Sequence, residues 1–96
     1  VIIKVRGYLT YKAVIGQREY KLSDDESITL LEFLRLLGSE ISGEHGQAIF
    51  NSERGTVGKW VAVMLNGRHY NHLHDRLDTV LQDQDEVAVF PPGAGG

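Results

Sequence analysis

The 96-residue sequence contains no cysteine, which removes disulfides, thiolate zinc sites, iron–sulfur ligation and thiol nucleophiles together. A cytoplasmic location is the simplest expectation from that absence. Apolar runs are short. None approaches the roughly 20 residues that span a bilayer, and the N-terminal stretch has no signal-peptide pattern, so no membrane partner is expected. Positive charge is sparse as well: ten Lys and Arg stand against thirteen Asp and Glu, scattered from Lys4 to Arg76 without a cluster. The electrostatic footprint of a phosphate-backbone binder is missing, and no nucleic acid is expected as a partner.

Motifs for autonomous catalysis are also lacking. No serine sits in a nucleophile-elbow context. The glycine-bearing stretch 43–58 has no Gly-Lys-Ser/Thr at phosphate-loop spacing, which leaves Gly58-Lys59 an accidental pair. His69, His72 and His74, with Asp75, are the one metal-like cluster. Their spacing matches no helix-borne ligand pair, so solvated loop histidines are expected and no metal is assigned. The acidic groups Asp24-Asp25-Glu26 and Asp83, Asp85 and Glu86 read as turn-forming solvated residues.

The residues that are present fit one ordinary globular domain with a single core. Val1, Ile3 and Val5 alternate with Ile2, Lys4 and Arg6, which is strand periodicity, and a second strand through Tyr20 and Leu22 returns antiparallel after an irregular loop near Gly16. Thr29 with Glu32 reads as a capping box opening a helix whose buried stripe is Leu30, Leu34, Leu37 and Ile41, with Phe33 beside it. Gly38 is expected to interrupt or cap that helix. From Ser42 to Lys59 the pattern is weak, and a long surface loop with at most a short helical turn is expected. The run from Trp60 to Leu65 suits a strand covered on both faces, and Asn66-Gly67 is a strong hairpin signal that returns Arg68-His69-Tyr70. Leu73, Leu77 and Leu81 punctuate the next connection as core plugs before the final strand Glu86–Phe90. Two strands, a helix, two more strands and, after a loop, a final strand are satisfied by an α+β, β-grasp fold, a mixed sheet whose first and last strands lie parallel at the centre with one main helix packed across it.

After that strand comes Pro91-Pro92-Gly93-Ala94-Gly95-Gly96. The prolines fix φ near −65° and have no N–H to extend a ladder, so the sheet is expected to end there. The expected organisation is a β-grasp domain over 1–90 and a flexible Gly-Gly tail over 91–96. Glycines without Cβ pass through a channel that excludes side chains. Fully extended, the six residues reach about 20 Å, enough for an α-carboxylate at Gly96 to enter a partner's active site. A frayed end is the plainer reading of the tail taken alone.

Three stretches carry a family resemblance: Val61-Ala62-Val63-Met64-Leu65-Asn66-Gly67, the run from Leu81 to Pro92 containing Asp83-Gln84-Asp85-Glu86-Val87-Ala88-Val89-Phe90-Pro91-Pro92, and the ending Gly95-Gly96. The sequence resembles the ubiquitin-like sulfur carriers of the MoaD/ThiS group, most closely the small subunit of molybdopterin synthase. The stretch 42–59 is longer and more polar than in a minimal carrier.

The resemblance implies an E1-like adenylating enzyme of the MoeB/ThiF kind, which uses ATP and Mg²⁺ to convert the Gly96 carboxylate to an acyl-adenylate; the carrier itself binds no cofactor. A persulfide donor then supplies sulfur to give a thiocarboxylate at Gly96, beside Gly95. Docked on a MoaE-like large subunit, the chain donates that sulfur toward the molybdopterin dithiolene, as a non-catalytic sulfur-donating subunit. Sulfur transfer for thiazole or tRNA thiolation, conjugation through Gly96 to lysines as a protein modifier, and a ubiquitin-like module whose tail is never activated are the alternatives. Partner contacts are expected along Phe90, Pro91, Pro92, Gly93 and Ala94, and at Tyr8. For Tyr8 and Phe90 the competing reading is core packing.

Overall fold

Alternation along the first strand decides which way the sheet faces. The computed structural model describes residues 1–92; Gly93, Ala94, Gly95 and Gly96 lie outside the described residues. Strand β1 (Ile2–Gly7) buries Ile3 and Val5 on one face and carries Lys4 and Arg6 on the other. Strand β2 (Gln17–Lys21) pairs antiparallel with it, and β5 (Glu86–Phe90) lies parallel on its other side with Val5 opposite Val87. Strand β3 (Ala62–Leu65) pairs antiparallel with β5, and β4 (Arg68–His69) forms the edge. The order β2-β1-β5-β3-β4 places the first and last strands together at the centre, as expected from the sequence.

Helix α2 (Leu30–Glu40) crosses one face of this sheet. Its start is set by the expected capping box: the Glu32 N–H donates to the Thr29 hydroxyl at 3.1 Å, and the Thr29 N–H donates to the Glu32 carboxylate at 2.9 Å. Leu30, Phe33, Leu34 and Leu37 are buried against Ile3, Val5, Val63, Val87 and Val89. Each such side chain stabilises the fold by about 1.5–3 kcal/mol. At the hairpin between β3 and β4, Asn66 and Gly67 both take positive φ, 51° and 83°, which matches the twist of the strands they join. The acidic turns are structural. Asp85 accepts from the Gln82 N–H at 2.7 Å and from the Asn66 amide at 2.9 Å, and Asp83 accepts from the Ile2 N–H at 2.6 Å.

Four expectations are corrected. The irregular loop between β1 and β2 contains a five-residue helix, α1 (Thr10–Val14), which buries Tyr11. It packs so closely that a Cβ on Gly7 would lie 2.1 Å from the Tyr11 carbonyl oxygen. The stretch 42–59 is no open loop: it holds α3 (Gly43–Ile49), with Ile49 fully buried, and a bridge between Asn51 and Thr56 that brings Val57 into the core. Gly38 neither breaks nor caps α2. It sits inside the helix where α3 crosses, a Cβ there meeting the Gly46 carbonyl oxygen at 3.0 Å. The run from Trp60 to Leu65 is covered on one face only: Val61, Val63 and Leu65 are buried, Ala62 and Met64 are half-buried, and Trp60 is exposed. Of the three leucine plugs, Leu81 is fully in the core, whereas Leu73 and Leu77 are half-buried against it.

Candidate functional site

The helices leave the opposite face of the sheet open, and strand parity dictates what it displays. With Val87 and Val89 inward, Glu86, Ala88 and Phe90 point outward; with Val63 and Leu65 inward, Ala62 and Met64 do the same. Register then assembles them. Phe90 lies opposite Ala62, Ala88 opposite Met64 on one side and Arg6 on the other, and Met64 opposite His69. Tyr8 continues the outward row of β1, held by its N–H donating to the Val89 carbonyl at 2.9 Å. Its ring stacks on Phe90 with centroids 4.4 Å apart and planes 7° from parallel. Tyr8 and Phe90 are therefore half-buried on the open face rather than core residues. The outcome is an apolar strip of half-buried Tyr8, Phe90, Ala62 and Met64 over the buried Ala88, flanked by the cations Lys4 and Arg6.

Phe90 is the last residue of β5, so the chain leaves the sheet from its central region beside this strip. Pro91 is half-buried and Pro92 exposed. Both also line a cleft of about 310 Å³ shared with Tyr11, His45 and Trp60. The Tyr11 hydroxyl reaches the Trp60 carbonyl at 3.4 Å and its ring meets His45 edge-on at 5.5 Å. Burial raises the Tyr11 pKa above its ordinary value, so the hydroxyl stays a neutral donor. Gly93, Ala94, Gly95 and Gly96, assigned to partner contact and chemistry from the sequence, lie outside the described residues.

The three histidines do not form one ligand set: the rings of His69 and His72 lie 6.2 Å apart. His69 Nδ1 accepts from the Asn71 N–H at 3.1 Å and its ring stacks on Tyr70, whereas His74 turns to Asp75 at 2.9 Å. Among the described residues no group of three or more His, Asp or Glu is arranged to hold a metal ion. Away from the tail, Arg18 and Tyr20 of β2 meet Glu40 at the end of α2. Burial, then the Glu40 hydrogen bond, raises the Tyr20 pKa.

The structure places both Tyr8 and Phe90, each expected from the sequence at a partner contact, on the open face. Ala62 and Met64 were not expected there, although alternation with inward Val61, Val63 and Leu65 turns them outward along β3. Trp60 lies in the turn before β3, where strand parity gives no signal.

Residues 9–96 match the ThiS family. Small archaeal modifier protein 3 of Haloferax volcanii is 39% identical over 94 residues, covering 98% of this chain and 98% of that one. The solution structure of the Haloferax volcanii HVO 2177 protein superposes with a TM-score of 0.71 at 37% identity, over 100% of this chain and 87% of that chain. A chain in the complex of subunits 1 and 2 of the molybdopterin-converting factor from Helicobacter pylori shares the fold at 24% identity and a TM-score of 0.58, over 100% of both chains. The mixed sheet with a helix across it is thus the β-grasp, ubiquitin-like fold.

Proposed function

Because the chain belongs to the ThiS family of ubiquitin-like sulfur carriers, we propose that it works as a sulfur carrier whose reactive group is the α-carboxylate of Gly96. The observation that carries this reading is the geometry at the end of β5: a strand clamped between β1 and β3 emits Pro91-Pro92 directly beside the open apolar strip. An enzyme that grips Tyr8, Phe90 and Met64 then receives the tail at a fixed position. Ordering the tail costs about 1–2 kcal/mol per residue in backbone entropy, which the two prolines reduce by restricting the free chain beforehand.

A carboxylate is a poor acyl donor because its leaving group is oxide. At neutral pH an α-carboxylate, with a pKa of about 3.3–3.7, is ionised and attacks the α-phosphorus of ATP without a general base. The new bond joins carboxylate oxygen to phosphorus, and pyrophosphate leaves. The acyl-adenylate is then attacked by a persulfide, AMP leaves, and reduction of the sulfur–sulfur bond by a thiol yields the thiocarboxylate. Throughout, this chain contributes position and an absence of bulk at Gly95 and Gly96. The adenylating enzyme supplies ATP and Mg²⁺.

The proposed acceptor of that sulfur is a molybdopterin precursor held by a large synthase subunit, the arrangement suggested by the fold shared with the molybdopterin-converting factor. A second reading has a specific observation behind it. The higher identity to a small archaeal modifier protein favours conjugation of Gly96 to lysines. The two share activation and part at the acceptor, since sulfur transfer regenerates a carboxylate whereas conjugation leaves an isopeptide. Blotting cell extract for this chain separates them: a reductant-resistant ladder of heavier species supports conjugation, and a single discrete band argues against it as the main role.

A further inference from the structure

The apolar strip is not the one exposed apolar feature near Pro91 and Pro92. Trp60, the one tryptophan of the chain, lines a cleft with both prolines and is 73% exposed. An exposed tryptophan on a frayed loop would carry little meaning, but this one is held in place. The Tyr11 hydroxyl bonds its carbonyl, and two residues earlier the Gly58 N–H donates to the Ala48 carbonyl of α3 at 3.0 Å. That approach admits only glycine, since a Cβ on Gly58 would lie 2.4 Å from the same oxygen. Helix α3, the docked Gly58 and buried Tyr11 thus hold the backbone that carries Trp60, whose ring stands largely uncovered among the described residues. Leu9, at 64% exposure, holds a positive φ of 55° just before α1 and adds a second exposed apolar side chain at this end of the domain.

The cleft beneath Trp60 is walled by Tyr11, His45, Pro91 and Pro92, and Glu44 is the one acidic side chain lining it. Because its wall includes the first two tail residues, any enzyme that takes the tail into a channel brings the rim of that channel against it. We propose that the Trp60–Glu44 cleft is a second docking surface for the activating enzyme, one that accepts an apolar side chain between Trp60 and the two prolines and a basic side chain at Glu44. This rests on the reading of the tail as the activated group. The open strip and the cleft then both meet the rim of the channel that takes the tail, and the cleft distinguishes partners, because a rim with an acidic residue here meets Glu44 and is repelled.

The test is ATP–pyrophosphate exchange by the cognate E1-like adenylating enzyme, with wild-type chain, Trp60→Ser, Trp60→Phe and Glu44→Lys as substrates, and thermal melting to verify that each folds. The expected result is a KM raised about tenfold for Trp60→Ser and Glu44→Lys with kcat retained, substantial recovery for Trp60→Phe, and loss of the salt dependence of KM in Glu44→Lys. Exchange with wild-type chain but KM values within twofold for both variants overturns the inference while leaving the activated tail intact. Trp60-dependent self-association in sedimentation with unchanged KM also overturns it, assigning the cleft to a second copy of this chain. No exchange with the wild-type chain by an enzyme active on another carrier removes the reading of the tail, and the inference with it.

Discussion

Replacing Gly46 with alanine asks whether the segment after α2 is a docked helix or a loosely attached loop, and the two answers differ in sign. In an unpacked helical turn, alanine is favoured over glycine by about 0.8–1 kcal/mol. Here the added Cβ would lie 2.0 Å from the Ile41 carbonyl oxygen and 2.6 Å from that of Gly38. Both are backbone atoms, so no rotamer relieves the overlap and α3 must move away from α2. Overpacking of this kind costs about 1–3 kcal/mol and sometimes more. Taking the upper end and subtracting the propensity gain leaves a net loss of about 2 kcal/mol. At about 4–8 °C per kcal/mol for a domain of this size, the melting temperature should fall by about 8–16 °C in a calorimetric or circular-dichroism melt. Gly43→Ala is the comparison: its φ is +76° but nothing lies within 4 Å of the new Cβ, so its cost is confined to the left-handed backbone, about 1 kcal/mol. A Gly46→Ala chain that melts at or above the wild-type temperature would refute the close crossing of α2 and α3.

Acid stability tests the cap of α2. Hydrogen bonds from the Thr29 N–H, then the Thr29 hydroxyl, hold the Glu32 carboxyl below its ordinary pKa of 4.5. A depressed folded pKa gives stability that is complete above the unfolded value and lost as pH falls through the folded one, so acidification from pH 6 to 3 should destabilise the wild type more than Glu32→Gln in urea melts. Thr29→Ala should cost about 1 kcal/mol at pH 7 by removing the cap. On the open face, Phe90→Ala should lose about 1 kcal/mol of stability with the Tyr8 stack, yet raise KM for adenylation tenfold or more, because a half-buried aromatic at an interface contributes more to docking than to folding. Equal, small effects on both quantities would remove Phe90 from the docking surface.

The parts of the fold that were legible in the sequence are those whose signal is local. Thr29 and Glu32 satisfy each other within one turn, Leu30, Leu34, Leu37 and Ile41 repeat on one face, and Asn66-Gly67 encodes its own positive φ values. From those pieces the parallel pairing of β1 with β5 followed by topology alone. Helix α3 was illegible because two of its seven residues are glycine, which propensity reads as loop. The reason for Gly46 is the crossing with Gly38, and no local pattern carries a contact between elements. Helix α1, at five residues, is too short for a period to register. At the functional site the tail is legible in Pro91-Pro92 and the glycines, and Tyr8 and Phe90 are legible as contact candidates, though their stack is not. Trp60 reads as part of an apolar run, because nothing local marks that β3 begins only at Ala62 and leaves Trp60 in the preceding turn.

The most direct test of the central claim is the intact mass of the purified chain after incubation with ATP, Mg²⁺, an E1-like adenylating enzyme and a persulfide donor. The account predicts a gain of about 16 Da, one carboxylate oxygen replaced by sulfur, that is absent when Gly95-Gly96 is deleted. An unchanged mass, with an enzyme shown to be active on another carrier, would contradict an activated Gly96.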